Sequence, residues 1–152
     1  MNRRIMLLGL GGVLIAAPHS AIAAPASSFS PIQIVLSPTC GCCKEWVAHL
    51  QQNGFQTSID EVPEINRRKT AARIPTAFWS CHTAFVDGYF VEGHVPADDI
   101  KRLLAARPRA RGLAVPGMPV GSPGMEVPNV AGDRYKTLLI GLNDKASVWA
   151  EH

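Results

Sequence analysis

The chain has 152 residues and carries 15 lysines and arginines against 12 acidic side chains, a formal charge of +3. Losing Arg3 and Arg4 with the leader described next lowers this to about +1, which excludes the basic footprint of a nucleic-acid binder. About 129 residues then remain, a length suited to one domain around one core.

Residues 1–23 join a basic start, Arg3 and Arg4, to an apolar run from Ile5 to Ala17 and a small-residue site at Ala21, Ile22 and Ala23. This reads as a secretory signal cut after Ala23, which places the mature protein in the periplasm. The apolar run is about 13 residues, short of the roughly 20 that a spanning helix needs. No later stretch is apolar enough to span, so neither a membrane nor a nucleic acid is expected as a partner. Residues 24–31 are expected to be a flexible N-terminus, and 32–152 the domain.

"IQIVLS" at 32–37 is a short apolar strand, and "PTCGCC" follows it directly. Cys43, Trp46, Val47 and Leu50 recur at i, i+3, i+4 and i+7, a helical stripe that stops at Asn53 and Gly54. Cys40, Cys42 and Cys43 therefore sit at a helix N-terminus, where unpaired N–H groups and the positive end of the helix dipole favour thiolates. "FQTSIDEV" (55–62) gives a second strand and 64–73 a short polar helix. The cluster Arg67, Arg68 and Lys69, answered by Glu61 and Glu64, reads as a solvated face of that helix.

"CHTAFVDGYFVEG" (81–93) reads as two strands turning at Asp87 and Gly88. Pro96, Asp98 and Asp99 open a helix that turns Ile100, Leu103 and Leu104 inward and ends near Arg107 and Pro108. A Gly/Pro-rich loop, "VPGMPVGSPGMEVPN" (115–129), leads to a C-terminal hairpin of "RYKTLLIGL" and "ASVWAE" around Asn143 and Asp144. The order strand, helix, strand, helix, hairpin, helix predicts an α/β, thioredoxin-like single domain with that loop and hairpin as an extension.

In such a fold the chain entering the third strand passes the N-terminus of the first helix, and Cys81 stands at that entry. Cys42 and Cys43 are neighbours that do not readily bond to each other, and bridges within 40–43 close hardly any loop, so disulfides alone explain the four cysteines poorly. Four convergent thiolates repel one another unless cations compensate, and a soft metal does so while accepting shared sulfur. Zinc commonly draws two ligands from each of two knuckles, whereas three cysteines here share one turn. Reduced copper accepts two or three sulfurs and tolerates sharing, so several Cu(I) ions are the expected cargo. Three readings stand in this order: a copper-binding protein, a thiol-disulfide oxidoreductase with Cys40 as nucleophile and Cys43 as resolving thiol, and a structural zinc domain.

The blocks "SPTCGCCKEWVAHLQQNGF", "SCHTAFVDGYFVEGHVPADDIKRLLAARP" and "GLAVPGMPVGSPGME" resemble the CopG-type periplasmic copper-resistance proteins over most of residues 33–126. The resemblance implies a thioredoxin-like domain in which Cys40, Cys42, Cys43 and Cys81 hold a cysteine-bridged cluster of several coppers. It implies sequestration or redox interconversion of Cu(I) and Cu(II), with other periplasmic copper-handling proteins as partners. The chain departs from the pattern in "ARIPTAFWSCHT", at Ile74, Pro75 and Trp79.

His94, before a helix start, is a candidate ligand that the hairpin returns towards the site. Met118 and Met125, in the repeated "PGM", offer soft thioethers from a loop expected to cover the cluster. Strand alternation would turn His82 away from Cys81. His49 and His152 are expected to face solvent, and Trp46 and Trp79 to pack in the core or shield the site.

Overall fold

The computed structural model describes residues 29–152; the proposed signal peptide lies outside the described residues. β1 (Ile32–Leu36) runs through the core and leads into α1 (Gly41–Gln52). The expected stripe of α1 is its buried face: Cys43, Trp46, Val47 and Leu50. The helix stops at Asn53, whose Nδ2 donates to the His49 carbonyl at 2.9 Å. β2 (Thr57–Glu61) pairs parallel to β1, and α2 (Ile65–Ala71) follows.

After one 3-10 turn (Thr76–Phe78), β3 (Thr83–Val86) and β4 (Tyr89–Glu92) form the expected hairpin. Asp87 and Gly88 both have positive φ, the backbone that two-residue hairpin turns require. α3 (Ala97–Ala106) buries Ile100, Leu103 and Leu104 as its pattern implies. β6 (Lys136–Gly141) and β7 (Ala146–Glu151) make the C-terminal hairpin.

One strand was not foreseen. β5 (Ala110–Ala114, "ARGLA") pairs parallel to β4 and antiparallel to β6. It carries arginine and glycine where strands favour branched side chains, so its sequence signal is weak. Gly112 is needed there, because a Cβ would overlap the Phe90 carbonyl of the neighbouring strand. The result is a mixed seven-stranded sheet ordered β2-β1-β3-β4-β5-β6-β7 in one α/β domain with three helices.

Alternation along the strands divides the core. Val91 and Leu113 join Trp46, Leu50, Ile100 and Leu103 in the main cluster, while Phe90 and Ala114 join Ile74 and Ile140 in a smaller one. No helix among the described residues is long and apolar enough to cross a membrane.

Two local expectations need correction. Lys69 is not on a solvated face: it is fully buried and ion-paired with the fully buried Glu92. His49 is half-buried and its Nε2 accepts the Ala97 N–H at 3.0 Å, capping α3. His152 is exposed as expected, and its ring also contacts Asp99 at 2.9 Å and stacks on Tyr135.

Candidate metal centre

The first turn of α1 has no acidic side chain and no side-chain cap, so its free N–H groups face the cysteines directly. Cys40 is the N-cap residue and Cys42 lies half-buried in the first turn, while Cys43 faces the core. Cys81 precedes β3 and comes to the same point from 38 residues away, its carbonyl 3.7 Å from Cys43 Sγ. The four sulfurs all lie within 4.8 Å of one another.

Cys40 and Cys43 form a disulfide, and Cys42 and Cys81 are free thiols. Cys42 Sγ is 3.5 Å from Cys40 Sγ. The four-thiolate site therefore exists only after two electrons reduce the Cys40–Cys43 bond. Burial, followed by the neighbouring Cys42, pushes the Cys81 thiol up to about 11. Near neutral pH Cys81 is thus protonated in this state, and a metal must displace that proton to bind it.

Histidines extend the donor set on the Cys81 side. His94 Nε2 lies 3.0 Å and His82 Nδ1 3.3 Å from Cys81 Sγ. The three ligand atoms also fall within 4.8 Å of one another. His94 Nδ1 contacts the Pro123 carbonyl at 2.8 Å. A carbonyl only accepts, so Nδ1 carries the proton and Nε2 presents a lone pair towards Cys81.

His82 is a correction to the sequence reading. The alternation argument required it to be in a strand, but β3 begins at Thr83, so it never applied. Its ring is fully buried against Trp46, with centroids 4.3 Å apart, and meets His94 edge-on. Burial first, then His94 and Lys69, holds its pKa well below the usual imidazole range. His94 is lowered too, chiefly by burial. Both rings are neutral near pH 7, the state in which imidazole binds metals. His82 Nε2 has no hydrogen-bond partner among the described residues.

The 115–129 loop reaches the centre through its backbone. Ser80 Oγ donates to the Gly117 carbonyl, Pro123 accepts from His94, and Gly124 lies against the first turn of α1. Gly124 has φ +84°, and a Cβ there would come within 2.7 Å of Trp46 N and 2.8 Å of Cys42 O. Of the two thioether candidates, Met125 is half-buried, whereas Met118 is 54% exposed. Trp46 is core, its Nε1 donating to the Val95 carbonyl at 2.8 Å; Trp79 is half-buried and donates to the Ile74 carbonyl.

Lys69 and Glu92 are the residues that charge counting missed beside the site. Lys69 Nζ donates to the His82 carbonyl at 3.1 Å, and Glu92 Oε1 accepts the Ser80 N–H at 2.7 Å.

Residues 78–125, which contain Cys81, His82 and His94, match a family described as "Protein of unknown function, DUF411". No curated protein matches the chain. Two solved structures do, and both bear the name copper resistance protein CopG. Form 1 is 42% identical, with a TM-score of 0.76, and the match covers 82% of this chain and 98% of that one. Form 2 is 43% identical, also with a TM-score of 0.76, and the match covers 80% and 97%.

Proposed function

The chain belongs to the CopG copper resistance protein family, and from that premise we propose that it is exported to the periplasm and binds several Cu(I) ions there as cargo. One observation carries this reading: four sulfurs from two distant segments converge within 4.8 Å. Cys40, Cys42, Cys43 and Cys81 are the proposed thiolate ligands, with His94 and His82 as nitrogen donors beside Cys81.

The donor chemistry suits copper. Crowded soft sulfur favours Cu(I), and the neutral imidazoles add donors that either copper oxidation state accepts. His82 Nδ1, 3.3 Å from Cys81 Sγ, is the ring nitrogen that would serve as its donor. Met118 and Met125 are proposed as auxiliary thioether donors from the loop, Met118 after a movement that would bring it inward. Other copper-handling proteins of the periplasm are the proposed partners. The element order from β1 to α3, with the dithiol at the tip of α1, supports a thioredoxin-like reading of the core to which β5 and the last hairpin are added.

The test is metal content after anaerobic loading of the reduced protein with Cu(I) in the presence of zinc. More than one Cu(I) per chain is expected, and Cys81→Ser should lower that number as much as Cys42→Ser does. A Cys81→Ser protein that still filled completely would remove this thiol from the site.

The Cys40–Cys43 disulfide favours a second reading, thiol-disulfide chemistry. In a disulfide reduction, the Cys40 thiolate attacks a substrate disulfide and expels one substrate thiol. Cys43 then attacks the mixed disulfide, releasing the second thiol and leaving the Cys40–Cys43 bond. The same two electrons could instead reduce two Cu(II) to two Cu(I), which would join the two readings in one cycle. Turnover on a model disulfide and copper tolerance of cells separate them. If only Cys40 and Cys43 mattered in both assays, with Cys42 and Cys81 dispensable, the oxidoreductase reading would replace the copper site.

A further inference from the structure

The backbone of Ser80, Cys81 and His82 lies between the 3-10 turn and β3, and one backbone hydrogen bond, from Gly93 N–H to the His82 carbonyl at 3.2 Å, continues the hairpin ladder into it. Two fully buried charged side chains add the remaining hold, on both sides of Cys81. Lys69 is the buried residue of α2, and its Nζ reaches both Glu92 and the carbonyl of His82. Glu92, at the end of β4, takes the N–H of Ser80 and the ammonium of Lys69 on the same oxygen. The two residues on either side of Cys81 are thus fastened to opposite members of one ion pair.

Stability alone is a poor reason for such a pair. Removing two charges from water is expensive, and apolar side chains of similar volume often serve as well or better. What the pair supplies, and an apolar pair would not, is direction: a donor aimed at the His82 carbonyl and an acceptor aimed at the Ser80 N–H.

We infer that Lys69 and Glu92 are positioning residues for the copper centre, which fix the Ser80–His82 backbone so that Cys81 and His82 face the cysteines of α1. This rests on the reading of Cys81 as a copper ligand. It adds behind the ligands a supporting pair of side chains, on α2 and β4, that touch no copper themselves. Supporting shells of this kind typically alter metal affinity by about 10- to 100-fold when removed.

The test compares wild type, Lys69→Met/Glu92→Leu, Glu92→Gln and Cys81→Ser, all reduced. Cu(I) number and affinity are read by anaerobic competition with a chromophoric chelator, thermal unfolding gives Tm, and the copper-free proteins are alkylated at Cys81. The apolar pair is expected to keep Tm near wild type while its copper affinity falls about 10- to 100-fold and Cys81 alkylates faster. Glu92→Gln keeps an acceptor for Ser80 but leaves Lys69 buried without its anion, so it should lose more Tm than the apolar pair and less copper affinity, a split that a purely structural role would not give. Wild-type copper affinity and alkylation rate in whichever variant folds would overturn the inference. Full copper loading of Cys81→Ser would instead sink the assignment of Cys81 as a ligand, so the two failures are distinguishable.

Discussion

The end of the molecule that carries the cysteines and the C-terminal hairpin are built in opposite ways. Around Cys81, four buried polar side chains, Lys69, His82, Glu92 and His94, come from three separate stretches of chain. β7, by contrast, is an edge strand with mostly exposed side chains. It is tied back by Arg102 over Trp149 and by the contacts of Asp99 with Thr137 and His152. The centre is over-determined and the hairpin is strapped on. A single substitution should therefore matter far more at the first than at the second.

The largest effect is expected for Lys69→Met alone. It leaves Glu92 charged, buried and without its cation, and breaking such a pair costs about 3–5 kcal/mol. Denaturant unfolding of this variant beside Lys69→Met/Glu92→Leu measures it, and the double variant should recover most of the loss. Equal stability of the single variant and wild type would erase the proposed contrast between the two regions.

Gly124→Ala comes next. Its positive φ and the approach to Cys42 O and Trp46 N together should cost on the order of 1–3 kcal/mol. Because Pro123 would shift with it, His94 should lose its Nδ1 partner, an outcome visible in the ring nitrogen chemical shifts by NMR. An unchanged His94 tautomer would separate the loop from the centre.

Asp99→Asn probes the strap. Asn keeps hydrogen bonding but loses the charge facing Arg102 and His152, so about 1–2 kcal/mol is expected. Copper number should not change. A fall in copper number would show that the hairpin is coupled to the centre.

The smallest effect is one of pH. Burial lowers His49 below its ordinary value, with Lys101 adding to this and Glu126 and Asp98 opposing it. The fold thus favours the neutral ring, whose Nε2 accepts from Ala97. Its contribution is full above the unfolded value of about 6.5 and is lost as the pH falls through the lower folded value. Unfolding curves of wild type and His49→Gln, which keeps an acceptor at every pH, should lie close at pH 7 and part towards pH 5, where only the wild type loses its acceptor.

Much of the centre was legible because its signals are local. The stripe Cys43, Trp46, Val47 and Leu50 marked the helix, so the position of the three cysteines at its start followed, and Asp87–Gly88 marked the hairpin. The histidine side was less legible. Placing His82 depended on knowing where β3 starts, and one residue of error reversed its direction. Lys69 looked solvated because its sequence neighbours are charged, while the partner that buries it lies 23 residues on. β5 escaped notice because a strand held between two others needs little propensity of its own. For Lys69 and β5, what could not be read was a partner far away in sequence.

The most direct test of the proposed copper centre is X-ray absorption at the copper edge on the reduced, Cu(I)-loaded protein and on Cys81→Ser. A sulfur-dominated first shell with a copper–copper contact is predicted for wild type, and that contact should be lost or weakened in the variant. A lone copper bound by nitrogen and oxygen, identical in both proteins, would contradict the account.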